Sequence, residues 1–167
     1  MPGVRLGRRA SNLLGAVVCA ALLAYALYSE HVLGFAPCPL CIFQRVGVLA
    51  LGVVFLAAAL HDPRGRARFV YASLIAVAAL ATAGVAARHL YIQSLPPGAV
   101  PSCGAPLDVM LRFSPFLDVV KKVLTASGEC GTVDWMFLGL AMPAWVLVCA
   151  LALGLLGTIA NVRRQPV

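Results

Sequence analysis

Apolar positions dominate this chain in four long stretches. Residues Ala10 to Ser29 contain no charged side chain, nor do Phe69 to Ala87 or Trp135 to Val162, and Ile42 to Leu60 holds only Arg45, near its start. A hydrocarbon core of roughly 30 Å takes about 20 helical residues at ~1.5 Å each. The pattern therefore predicts an all-α membrane protein: a four-helix bundle with spans at about 11–30, 42–60, 69–88 and 138–160 in one domain covering 1–167. Two loops, about 31–41 and 89–135, join spans on the same side. Continuous apolar runs also suit buried helices of a soluble protein, but four of them in 167 residues leave almost no polar surface.

Within the long loop, Pro96, Pro97 and Pro101 block continuation of the third helix. Ser114-Pro115 can start a short helix in which Phe116, Leu117, Val120, Val123 and Leu124 share one face and Asp118, Lys121 and Lys122 the other. Such a helix lies in the membrane interface or packs on the span ends. Ala24-Tyr25-Ala26 resembles a leader cleavage box, yet the apolar stretch is long for a signal peptide, so an uncleaved first helix is expected.

Composition agrees with a bilayer as solvent: 62% hydrophobic and 11% charged, against about half and a quarter in soluble domains. The net charge of +7 does not mark a nucleic-acid binder, because the basic residues are clustered between spans. Arg5, Arg8, Arg9, Arg64, Arg66, Arg68, Arg163 and Arg164 all fall on one side, which the positive-inside rule makes cytoplasmic. Both termini are then inside. Arg88, Arg112, Lys121 and Lys122 of the long loop weaken this bias without reversing it.

There are six cysteines. Cys19 and Cys149 lie within spans and read as small apolar fillers. Cys38, Cys41, Cys103 and Cys130 lie on the outer side. A CxxC at a helix start has unsatisfied amides and a positive dipole end that favour thiolate, and a lowered thiol pKa makes cysteine reactive. Arg45 stands one turn beyond Cys41 on the same face, where it would stabilise a Cys41 thiolate or negative charge on a bound electron acceptor. Blander readings stand beside this one. Cys103–Cys130 could be a structural clamp contributing roughly 3–4 kcal/mol, Arg45 could snorkel to headgroups, and His89 could cap the third helix. Four outer cysteines could also hold zinc, but Cys103 and Cys130 are 27 positions apart and make no second CxxC, so no metal site is expected.

The run Cys38-Pro39-Leu40-Cys41-Ile42-Phe43-Gln44-Arg45 resembles the signature of the disulfide bond formation protein B (DsbB) family. So do Arg88-His89 with Gln93, Ala126-Ser127-Gly128-Glu129-Cys130, and Trp135 to Leu140 followed by Met142-Pro143-Ala144-Trp145. The similarity extends over nearly the whole chain. It points to the system of DsbA, DsbB and quinone that keeps the bacterial periplasm oxidising. The resemblance implies a bacterial inner-membrane oxidoreductase with catalytic Cys38, Cys41, Cys103 and Cys130. In it, Cys103 forms the mixed disulfide with a periplasmic DsbA-like dithiol protein, and Cys130 passes electrons to Cys38. Cys41 faces a membrane quinone, ubiquinone or menaquinone, in a site lined by Arg45 and His89. Gln44 departs from relatives that carry an acid there, and its role and that of Gln93 stay open. A thiol relay running in the reverse direction, and a metal-binding or structural membrane protein, are the competing readings; the match in the fourth span speaks against the first of these.

Overall fold

The computed structural model describes residues 7–96, 99, 101, 107–125, 128–133 and 135–163. Four long helices, α1 (Arg8–His31), α2 (Pro39–His61), α3 (Ala67–Gln93) and α6 (Met142–Val162), carry the apolar stretches. All four are long and apolar enough to cross a membrane. At 21 residues, even α6 reaches about 32 Å at ~1.5 Å per residue. Between α3 and α6 lie α4 (Leu107–Phe113), α5 (Phe116–Thr125), a 3-10 turn (Gly128–Gly131) and a hairpin of β1 (Met136–Phe137) and β2 (Leu140–Ala141).

Local chemistry sets the ends. Cys38 caps α2 and Pro39 occupies its first turn, where the missing N–H costs nothing. At the other end Asp62 turns left-handed and Pro63 comes next. The hairpin begins the last apolar stretch, so α6 starts at Met142 rather than at 138. Its two-residue turn needs positive φ at both positions, met by Leu138 (50°) and Gly139 (78°).

Helix α1 packs on α2, α2 on α3, and α3 on α6, with α6 touching α1 to close the bundle. In lipid, tight packing replaces the hydrophobic drive between helices, and small residues permit it. Phe55 of α2 is held between two glycines: a Cβ on Gly15 would lie 2.8 Å from its ring, and one on Gly157 2.5 Å. Cys19 belongs to this core, as expected of a filler, and Cys149 is half-buried. The outward faces remain apolar, as with Val17, Val77 and Leu155, which suits lipid contact.

One end of the bundle is fastened by polar groups. The side-chain amides of Asn12 and Asn161, both fully buried, donate to each other's carbonyls at 3.2 and 2.8 Å. Arg8 donates to the carbonyls of Pro63 (2.6 Å) and Arg163 (3.1 Å). The start of α1, the α2–α3 connection and the end of α6 therefore meet at one end. The cysteine-bearing segments lie at the opposite end.

Helix α5 forms where the periodicity places it, but its inner face differs. Val119 and Val123 point inward, onto Leu40, Ile92, Met110 and Cys130. Phe116 and Leu117 are exposed, Val120 is half-buried, and Leu124 is largely exposed. The helix thus packs on the span ends through one apolar face and presents a second outward. Arg88 ties it to α3 by donating to the Leu124 carbonyl at 3.0 Å.

Candidate active site

Three sulfurs stand in sequence at the end of α2. Cys38 holds the cap position and Cys41 the first turn, with their Sγ atoms 3.1 Å apart. The Cys41 amide donates to the Cys38 sulfur at 3.4 Å. Cys130, on the 3-10 turn, reaches the same region from the long loop and belongs to a buried cluster against which Cys38 packs. Its burial to 1% exposure comes from packing beneath Val119 and Val123 and against Leu40. Cys103 lies outside the described residues.

These contacts distribute the protons unequally. The Cys130 thiol is pulled below its ordinary pKa, first by its interaction with Cys38 and then by the backbone amide of Leu40 and by His89, against the opposing effect of burial. Cys38 is pushed up, by its interactions with Cys130 and Cys41 and by its burial. Cys130 is thus the better nucleophile of the two, and Cys38 is the sulfur beside it.

His89 is the basic group at this centre. It comes from α3 and is 2% exposed. Its Nε2 lies 3.9 Å from the Cys38 sulfur and 3.1 Å from the Cys130 carbonyl. Its Nδ1 lies 2.9 Å from Gln44 Nε2. A neutral ring with its proton on Nε2 satisfies both bonds: Gln44 donates to Nδ1, and Nε2 donates to the Cys130 carbonyl. Gln93 steadies the same loop by donating to the Thr132 carbonyl at 3.3 Å. The Cys38 and Cys41 sulfurs and a ring nitrogen of His89 all lie within 4.8 Å of one another, a spacing able to hold a metal ion.

Arg45 is oriented from the other direction. Its guanidinium pairs with Glu30 of α1 and donates to the Ala26 carbonyl at 3.0 Å. Arg45 and Cys41 both border a cavity of about 970 Å³ whose walls are largely apolar, including Leu22, Leu23, Ile42, Val48, Trp145 and Val146. Such a volume and lining, with a few convergent polar groups, are typical of small-molecule sites. At its rim, Trp135 stacks on Phe137, Tyr25 meets Trp135 edge-on, and Trp145 Nε1–H donates to the Phe137 carbonyl at 3.1 Å.

Of the residues singled out in the sequence, Cys38, Cys41, Cys130 and His89 converge directly, and Arg45 shares the cavity. Glu30 was missed there, although a lone acid at the end of an apolar stretch was a signal. The backbone amide of Leu40 left no trace in the sequence.

The chain matches the family model described as "Disulfide bond formation protein DsbB" over residues 8–160. It is 51% identical over 146 residues to disulfide bond formation protein B of Methylococcus capsulatus, covering 87% of this chain and 89% of that one. It is 48% identical over 162 residues to the protein of that name from Xanthomonas axonopodis pv. citri (95% and 94% covered). With the one from Marinobacter nauticus it shares 47% over 148 residues (89% and 88% covered).

Proposed function

The chain belongs to the DsbB family of disulfide bond formation proteins, multi-pass membrane oxidoreductases, and from that premise we propose that it reoxidises a periplasmic DsbA-like dithiol protein and delivers the two electrons to a membrane quinone. The observation that supports this most is the unbroken line of sulfurs from Cys130 through Cys38 to Cys41, ending at an apolar cavity that also holds Arg45.

Each thiol–disulfide step conserves atoms and electrons. A partner thiolate attacks Cys103 of a Cys103–Cys130 disulfide, forming a mixed disulfide and releasing Cys130 as thiolate. The partner's second thiol then closes its own disulfide and frees Cys103. The Cys130 thiolate attacks Cys38 of a Cys38–Cys41 disulfide and expels Cys41 as thiolate. Cys103 resolves the Cys130–Cys38 bond, restoring the loop disulfide and leaving Cys38 and Cys41 as a dithiol. In-line attack needs the nucleophile beside Cys38, and the packing of Cys38 against the cluster that holds Cys130 supports that position.

The cavity suits a quinone by its donor set: apolar walls for a lipid-soluble ring, with the Arg45 guanidinium available to a carbonyl oxygen. Bound there, a quinone supplies a two-electron, two-proton acceptor that leaves as quinol. Cys41 presents its sulfur to the cavity, Arg45 places positive charge at it, and Glu30 fixes the guanidinium. His89 holds the Cys130 carbonyl and so the loop in place. The basic clusters support an inner-membrane setting with both termini cytoplasmic and the thiols on the periplasmic side. Ubiquinone and menaquinone are both compatible with the cavity.

The test is a coupled assay with purified protein in detergent. Reduced partner and a ubiquinone analogue should disappear together, one for one. Full quinone reduction by a Cys41→Ser variant would overturn the assignment.

A further inference from the structure

We propose that the reduced enzyme contains a binding site for a thiophilic divalent cation such as zinc, formed by Cys38, Cys41 and His89 with a fourth position left to solvent, and that it vanishes when Cys38 and Cys41 are oxidised.

The geometry is close to that required by the ion. Zinc–sulfur bonds of about 2.3 Å and zinc–nitrogen bonds of about 2.0 Å at tetrahedral angles put two sulfurs ~3.8 Å apart and a sulfur and a nitrogen ~3.5 Å apart. Here the Cys38 and Cys41 sulfurs are 3.1 Å apart, and Cys38 Sγ is 3.9 Å from His89 Nε2. All three ligand atoms lie within 4.8 Å of one another, so side-chain adjustments bring them onto one ion. Two cysteines and one histidine with an open fourth position match the Cys2His zinc sites that keep a water. His89 is 2% exposed, and the two cysteines are half-buried.

The histidine is also supported as a ligand needs. Coordination through Nε2 places the ring proton on Nδ1, which then requires an acceptor. Gln44 sits there at 2.9 Å, and turning its amide over presents Oε1 in place of Nε2. Binding forms two sulfur–metal bonds and one nitrogen–metal bond and releases the two thiol protons to solvent. No electrons move. A Cys38–Cys41 disulfide removes two of the three protein ligands, so the ion senses the redox state. While bound, it occupies both sulfurs of the Cys38–Cys41 pair. The inhibition this implies rests on the function proposed above; the binding itself does not.

Cobalt(II) added to the untagged full-length protein in detergent, reduced and then freed of reductant, gives the test. The expected result is one cobalt per chain, with intense thiolate charge-transfer bands, a tetrahedral visible spectrum, and displacement by zinc. The same preparation with Cys38–Cys41 oxidised should show none of these, a control that requires no variant. Cys41→Ser should lose the spectrum, Cys149→Ser should keep it, and Gln44→Ala should weaken binding about 10- to 100-fold. A purely octahedral spectrum from the reduced protein, or a tetrahedral one surviving Cys41→Ser or oxidation, overturns the proposal. Quinone reduction measured beforehand on the same sample separates the two ideas. Turnover without the cobalt site sinks this one alone, and the site without turnover sinks the oxidase reading alone.

Discussion

Replacing Gln44 with leucine tests the hold that keeps Cys130 over Cys38. The side chains are similar in size, so packing is largely kept, but the bond to His89 Nδ1 is lost. Both residues are buried, at 4% and 2% exposure. A buried acceptor left unsatisfied costs about 1–3 kcal/mol. The ring escapes that cost by swinging towards the cavity, which breaks the 3.1 Å bond from Nε2 to the Cys130 carbonyl and loosens the loop. At ~1.4 kcal/mol per tenfold, the opened population rises roughly 5- to 140-fold. Cys130 is 1% exposed, so its alkylation reports that opening. The assay is maleimide labelling of the reduced protein, then mass spectrometry of the Cys130 peptide. Gln44→Leu should label faster by that factor, and Gln44→Glu, which still offers Nδ1 a partner, should recover part of the loss. An unchanged labelling rate in Gln44→Leu would show that His89 does not hold the loop in this way.

Four further outcomes are expected. Glu30→Ala frees the Arg45 guanidinium from its partner, so KM for the quinone analogue should rise several-fold with a smaller change in kcat; steady-state kinetics that leave KM unchanged refute a positioning role for Glu30. Gly157→Val drives a side chain into the Phe55 ring, a form of overpacking that costs about 1–3 kcal/mol, and thermal unfolding in detergent should fall by several degrees. Gly84→Ala, which meets no atom within 4 Å, should leave the melting temperature unchanged or slightly raised. Because the Cys130 pKa is lowered, its thiolate persists to lower pH than that of an ordinary cysteine. Alkylation of Cys130 in the fully reduced protein, followed against pH, should therefore show its midpoint below the usual thiol range; a midpoint within that range would contradict the interactions with Cys38 and Leu40.

The four long helices were legible because lipid demands continuous apolar residues, a signal that survives without any knowledge of contacts. The same continuity hid the hairpin: residues 138–141 are as apolar as the helix beyond them, so nothing marked Met142 as the helix start. Helix α5 shows a different limit. Periodicity found the helix, but both of its sides carry apolar residues, and only the docked structure distinguishes Val119, facing Cys130, from Leu117, facing outward. Helix α4 was not anticipated. At the site, the CxxC, His89 and Cys130 were recognisable by type and by resemblance. The pairings Gln44–His89, Arg45–Glu30 and Asn12–Asn161 were not, because each joins residues 15 to 149 positions apart that meet only once the bundle is closed.

The Asn12–Asn161 pair has a bearing on the far end of the molecule. Water competes for such amides at a protein surface, but in a buried interior it does not, so the clasp between α1 and α6 keeps its full strength. The same two helices separate at the other end, where Leu22 and Leu23 of one and Trp145 and Val146 of the other face each other across the cavity. The α1–α6 pair is thus pinned by polar groups at one end and borders an apolar cavity beside the thiols at the other.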